Sequence, residues 1–576
     1  MTCQEKILSD QYVDVLTDFQ LNDAIQVPKD LDYCYQNIDS SLGIFYIKRK
    51  QLPEIDTSTY GYLYIPKCYG LMSDSPGTSR EKYDFNPLSL INSGILAVQR
   101  PPLSLTGRGV AIGFIDTGIR YQEEVFRNAD GSSRILGLWD QTIQSGTPPK
   151  GLQYGSAYSR EEINMALQAE DPYSVLPSTD TIGHGTAIAS VAAGSNLQQG
   201  FTFTGAAPDA DILVVKLKEA KPHLRNYYNI PEGVPCYAGS DIWSALYYLE
   251  SFAQTFIRPI VICIGIGTNL GDHAGNAEVS RYLHVLSARR NRAIVICGGN
   301  EGNAGHHYEG NINGDSSSPW EDVELRVAEG EQGFLTELWG ATPHLFTIAI
   351  RSPSGELIPR IYYKEKQSNN YSFVYEKTIL TVGFALIENS SGDELITIRF
   401  INPTPGIWTI RVFSEGNRGA ANFHMWLPIR GFLQSDTHFL KPNPYTTLTV
   451  PGFTENAITV STYDDKNNSF YLNSGRGFSR TNRIKPDISA PGVNVSTVLG
   501  TRSGAGMAAA ITAGGVAQFL QWAVTEGNDP LVDSINIKNY LIRGASRSED
   551  LTYPNRDWGY GRLNIAGVFD WLAGFS

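Results

Sequence analysis

Hydrophobic positions along the chain follow three patterns in turn, and each change of pattern predicts a change of architecture. Short, nearly unbroken apolar runs stand at Val110 to Ile115, Asp211 to Val215, Ile260 to Ile264 and Ala293 to Cys297. Such runs suit strands buried on both faces of a parallel sheet. Between them lie stretches of helical period, such as Asp241 to Thr255, with Ser240 placed to cap it. Strand alternating with helix predicts βαβ units, and so a parallel sheet with helices on both faces. From about 318 to 447 the helical periods stop. Leu345 to Ile350, Ile396 to Phe400 and Ile407 to Val412 read as strands separated by turns such as Asn402-Pro403-Thr404-Pro405-Gly406. Closely spaced strands of this kind predict an antiparallel sandwich or jelly roll. The α/β pattern returns near 448, with a strand at Ala457 to Val460 and an apolar, small-residue helix from Met507 to Trp522.

The first 80 residues read as a small α+β unit. Gly43 to Ile47 and Tyr60 to Ile65 are rich in aromatic and β-branched residues and are predicted as strands. The polar stretch Ser73-Asp74-Ser75-Pro76-Gly77-Thr78-Ser79-Arg80 reads as a linker. The predicted order is thus 1–80, an α/β part at 81–317, an inserted β-domain at 318–447 and a second α/β part at 448–576. Both ends of the insert join one α/β domain, so it is expected to dock rigidly.

Composition narrows the partners. Of 576 residues, 18% are charged, and the net charge is −13, which argues against nucleic acid. No apolar stretch at the start resembles a signal peptide, and no apolar run reads as a membrane span. Synthesis in the cytoplasm is expected. Cys263 and Cys297 lie in strand-like runs and read as buried thiols. His306 and His307 adjoin, but neighbours on a strand point apart, so no metal site is expected. No cofactor is expected either.

Three short blocks carry chemistry. Asp116, in Gly113-Phe114-Ile115-Asp116-Thr117-Gly118, closes a buried strand, where ligand crevices of α/β sheets lie. His184 stands in Gly183-His184-Gly185-Thr186 at the start of an apolar helix. The third block is Ser503-Gly504-Ala505-Gly506-Met507-Ala508. Together they resemble the Asp, His and Ser blocks of the subtilisin-like serine proteases, in that chain order. The resemblance implies that His184 is the general base and Asp116 its orienting acid. It implies that Asn300, in Gly298-Gly299-Asn300-Glu301-Gly302, is an oxyanion donor, and that Ile264, Gly265, Ile266 and Gly267 line the substrate cleft. It makes residues 1–80 a prodomain whose tail fills that cleft. The family's third block has Thr and Ser where this chain has Ala505 and Gly506. Glycine offers no nucleophile. Ser503 occupies a position the family already fills with serine.

Further segments narrow the resemblance to the germination-specific Csp proteases of spore-forming clostridia. They are Gly137 to Thr142, Gly267-Thr268-Asn269-Leu270-Gly271, Arg543-Gly544-Ala545 and Trp558-Gly559-Tyr560-Gly561, together with the inserted jelly roll. That group has active members, which cleave the precursor of a cortex-lytic enzyme, and pseudoprotease members, which relay or sense germinants. Gly506 aligns this chain with the pseudoproteases. The resemblance implies a spore-associated regulator, partnered by related germination proteases or the cortex-lytic precursor and by a small-molecule germinant. One alternative is an active endopeptidase whose serine has been replaced, against which Ala505 speaks. Another is a binding module acting through the jelly roll; Trp408 and Trp426 sit in strand-like runs, where core packing is the expected role. Gly506→Ser is expected to restore little activity, on the ground that an unselected turn relaxes.

Overall fold

The computed structural model describes residues 1–19, 27–55, 57–72, 85–196, 203–313, 319–364, 368–415, 419–434 and 436–574. The predicted linker at 73–80 lies outside these residues.

The unbroken apolar runs form the centre of one mixed sheet. Ala111–Asp116 lies between Ile260–Ile264 and Asp211–Lys216, all parallel, with Arg292–Cys297, Ile458–Asp464 and Ile135–Asp140 extending it. Short antiparallel strands, Ser469–Phe470 and Ser156–Ser159, close its two edges. Each central strand is buried along its whole length, which is why these runs lack polar alternation. Helices cover the sheet. Gly239–Thr255 starts before the expected cap: Ser240 donates instead to Asp14 Oδ2 at 2.8 Å. The helix Ala505–Leu520 packs against His184–Ala193 and the sheet, then continues as a π-helical turn, Gln521–Thr525. The 505–525 segment is apolar and long enough to cross a membrane, but 89% of its apolar window is buried inside the protein. Its small residues permit that close packing.

The insert is a two-sheet sandwich. One antiparallel sheet has the order His307–Asn313, Ala420–Trp426, Gly333–Gly340, Glu394–Ile401, Ile379–Ala385, Asn369–Ser372. The other runs Leu357–Ile361, Leu345–Arg351, Gly406–Glu415, Trp320–Val327, His438–Phe439. Its first strand therefore begins ahead of residue 318. Trp408 is fully buried, edge-on to Phe373 and Phe400, and fills the sandwich core. Trp426 lies at the seam with the α/β unit, stacked on His273 with ring centroids 4.0 Å apart.

The N-terminal unit is a three-stranded antiparallel sheet of Tyr12–Thr17, Leu42–Lys48 and Tyr33–Asp39. Cys3 and Cys34 are joined as a disulfide, Cα atoms 5.4 Å apart, and Cys68, Cys236, Cys263 and Cys297 are buried free thiols. Tyr60 to Ile65 is not a strand. It comprises the end of the short helix Thr57–Tyr60 and the 3₁₀ turn Tyr62–Tyr64. Its aromatic content serves burial at a junction: Tyr62 packs edge-on against Trp339 and its hydroxyl donates to Glu337 Oε1 at 2.7 Å.

The seam holds three imidazoles. Burial pushes His273 down to about 3 and His307 down to about 4, and His424 falls too. A folded-state value below the unfolded ~6.5 means that the unfolded chain binds protons first. Stability is therefore lost as pH falls from ~6.5, by about 3 kcal/mol for His307 alone by pH ~4. Glu394, pushed up to about 8 by burial, slopes the opposite way, so the readout must be local. Imidazole resonances of His273 and His307 are expected not to titrate between about pH 7.5 and pH 5. Titration of either near its ordinary value would refute this.

Candidate active site

Asp116 ends the central strand, at the carboxyl edge of the sheet, and is 1% exposed. His184 begins the helix that crosses this edge. Its Nδ1 lies 2.7 Å from Asp116 Oδ1 and 3.0 Å from Oδ2. A carboxylate accepts only, so Nδ1 carries the proton and Nε2 is the basic nitrogen. Gly183 precedes the helix at φ 85°, a left-handed angle that glycine adopts without strain. A Cβ on Gly185 would stand 2.3 Å from the Gly118 carbonyl, so glycine permits the close approach that brings Asp and His together.

Buried Asp180 fixes this turn. Its carboxylate accepts from Gly183 N at 2.7 Å, Thr186 N at 2.9 Å and Thr186 Oγ1 at 2.7 Å. The sequence reading missed it, although an acidic residue just ahead of a helix start is a recognisable signal.

His184 Nε2 is buried and has no partner among the described residues. The residue facing it is Gly506. An ideal Cβ there would lie 3.5 Å from His184 Nε2, 3.3 Å from the Met72 carbonyl oxygen and 3.1 Å from Ile188 Cδ1. Ser503 is no substitute, because its Oγ is engaged by Asn494 N at 2.9 Å. Asn300 Oδ1 accepts from Ala505 N at 3.0 Å, which ties the Asn300 amide to the start of this helix.

The cleft holds the chain's own N-terminal segment. Cys68–Leu71 is the middle strand of a three-stranded antiparallel sheet, between Tyr237–Ala238 and Ile266–Gly267. Met72 N donates to Gly265 O at 3.1 Å, and Gly506 N donates to Met72 O at 3.1 Å. Met72 thus presents its carbonyl where a scissile carbonyl would sit, with a backbone N–H on the oxygen that would become an oxyanion. Gly265, Ile266 and Gly267 form one wall. Ile264 does not: it is a fully buried member of the central sheet, paired with Ile115 and Ile296. The opposite wall, Tyr237–Ala238, carried no sequence signal. A roof closes from the insert's return path, where Ile429 and Phe432 lie over Gly70 so closely that a Cβ there would meet Ile429 Cδ1 at 2.6 Å.

The arrangement supplies a base, its orienting acid, an oxyanion donor and a bound acyl group, but no hydroxyl. Among the described residues no cluster of His, Cys, Asp and Glu could hold a metal ion.

The Clostridium perfringens CspB protease structure is 29% identical, with TM-score 0.74, covering 84% of this chain and 99% of that one. The prenylagaramide maturation protease PagA is 14% identical over 84% of this chain and 99% of its own, with TM-score 0.39. Comparison with curated protein sequences gave no match. Residues 107–319 and 381–561 match the subtilase family, Peptidase_S8; the second block begins within the inserted sandwich. With the Asp116–His184 dyad, a substrate-like strand in the cleft and most of its length matched, the chain belongs to the subtilase family.

Proposed function

We propose that this subtilase is a catalytically silent regulator of spore germination, acting upstream of the proteolytic activation of a cortex-lytic enzyme. The observation that carries the reading is Gly506 opposite an unpartnered His184 Nε2. Loss of the serine in subtilisin costs about 10⁶-fold in turnover. The N-terminal tail occupies the cleft, where it would block any other substrate. Likeness to the Clostridium perfringens CspB protease supports the resemblance to the Csp group, from which the germination reading is taken. On this reading the partners are related germination proteases or the cortex-lytic precursor, with a small-molecule germinant as the signal, and the protein resides in the spore. A second reading, an active endopeptidase whose serine has been replaced, is favoured by the room around Gly506 and opposed by Ala505.

The two readings separate in spores lacking the native chain. His184→Ala is expected to restore germination as well as the native chain does, because nothing depends on the base. The native chain should also be recovered from spores at full length. Failure of His184→Ala in a protein that folds normally, or recovery of a chain cut after Met72, would overturn the silent reading.

A further inference from the structure

A second cavity, of about 330 Å³, opens at the seam between the sandwich and the α/β unit, far along the chain from the Asp116–His184 site. Its polar groups include Arg480, Arg556, Asp393, Glu309 and His424. Arg480 is almost fully buried and is already matched: Nη2 donates to Asp393 Oδ2 at 2.6 Å and Nε to the Asp272 carbonyl at 2.8 Å. Arg556 differs. Its guanidinium stacks on Tyr445 and Phe478, with centroid distances of 4.9 and 5.4 Å, and no carboxylate pairs with it among the described residues. Stacking on two rings holds the planar fork in place while leaving its edge donors for an anion.

The same cavity is also lined by an acceptor pair. Glu309 and His424 face each other in register on adjacent strands, so their side chains share a face. The tautomer of His424 follows from its neighbours. His307 Nδ1 lies 3.2 Å from the Asn443 carbonyl and must carry the proton, which leaves His307 Nε2 as an acceptor. His424 Nδ1, 3.0 Å away, donates to it. His424 Nε2 then bears a lone pair, and this residue lines the cavity. Arg480 and Asp393 cancel in charge. Among the described residues that leaves Arg556 as a lining cation with no ion-pair partner and Glu309 as a lining anion with none; Glu309 Oε2 accepts from Asn443 Nδ2 at 2.6 Å, and the His424 imidazole is a further acceptor.

We propose that this cavity binds a small amino carboxylate, its carboxylate on Arg556 and its ammonium on Glu309 and His424 Nε2. A zwitterion matches both poles without net charge. A simple carboxylate or amine would satisfy one pole and leave the other desolvated. The proposal goes beyond the silent-regulator reading and rests on it only for biological meaning, since binding is measured without a spore.

The test is calorimetric titration of the full chain with glycine, L-alanine and L-serine, against acetate and ethylamine as half-molecules. At least one amino acid is expected to bind with Kd of order 1 mM, and each half-molecule about tenfold more weakly or worse. Arg556→Gln and, separately, the exposed Glu309→Gln should each weaken binding by about tenfold or more. Unfolding curves without ligand establish that each variant is folded, and Glu309→Gln serves should Arg556→Gln fail to fold. No binding of any of the three amino acids, acetate binding as tightly as they do, or undiminished binding in folded variants would overturn the proposal.

Discussion

Replacing Gly506 by serine is expected to yield a chain that cuts itself after Met72. The geometry reverses the expectation, drawn from sequence, that a turn without catalytic selection would have relaxed. Gly506 lies within the helix Ala505–Leu520 at an angle open to any residue, and the space beside it fits a Cβ with a shift of a few tenths of an ångström at Ile188. The new Oγ would stand one bond beyond a Cβ that is 3.5 Å from His184 Nε2 and 3.3 Å from the Met72 oxygen. Attack on the Met72 carbonyl carbon would pass the hydroxyl proton to His184 Nε2, while Asp116 stabilises the imidazolium. Gly506 N already donates to the oxygen that gains charge. His184 would then protonate the amide nitrogen of Ser73, the Met72–Ser73 bond would break, and water would release the acyl-enzyme. The recovered rate enhancement is about 10⁶-fold if the subtilisin scale applies. Intact mass reports it: two fragments meeting at Met72 in Gly506→Ser, one full-length chain in the native protein and in His184→Ala/Gly506→Ser. A single mutant that stays whole while Ala505→Thr/Gly506→Ser cleaves would show that Ala505, not only Gly506, has disabled the site.

Asp14→Ala should loosen the N-terminal unit by about 3–5 kcal/mol, the usual cost of leaving a buried charge unpaired. Asp14 supplies a buried ion pair across the interface, beside the more exposed Arg289–Asp39 and His223–Asp10 pairs. Its Oδ1 lies 2.6 Å from Lys221 Nζ, and its Oδ2 accepts from Ser240. Lys218 and Asp241, 2.7 Å apart, complete the cluster, and Tyr154 donates to Asp241 at 2.8 Å. Burial alone would raise the Asp14 carboxyl; Lys221 and Lys218 outweigh it and hold the group below the usual carboxylate range. Its contribution is thus present above the unfolded pKa and is lost as pH falls through the lower folded value. Denaturant unfolding should show the loss, with Asp14→Asn intermediate because the amide keeps a hydrogen-bond acceptor. In the self-cleaving Gly506→Ser background, the fragment ending at Met72 should co-purify when Asp14 is present and elute separately when it is alanine. Unchanged unfolding and continued co-purification in Asp14→Ala would place the clamp elsewhere.

Local chemistry is what the sequence by itself determined. Unbroken apolar runs mark strands buried on both faces because period and burial are properties of a few consecutive residues, and all four runs lie in the central sheet. Asp116 at a strand end and His184 between glycines were legible for the same reason. The tertiary structure decided what long-range contact decides. Tyr60 to Ile65 carries strand-like residues, yet Trp339 and Glu337, far along the chain, make it a buried turn. Ser240 has the chemistry of a cap, but Asp14 claims its hydroxyl. Ile264 stands beside cleft residues in sequence, yet strand alternation and two flanking strands turn it into core. That Met72 presents its carbonyl to Gly506, and that Arg556, Glu309 and His424 line one cavity, depends on segments far apart in the chain meeting in one place. No local pattern encodes such meetings, because they are set by how the sheet, the sandwich and the N-terminal unit close on one another.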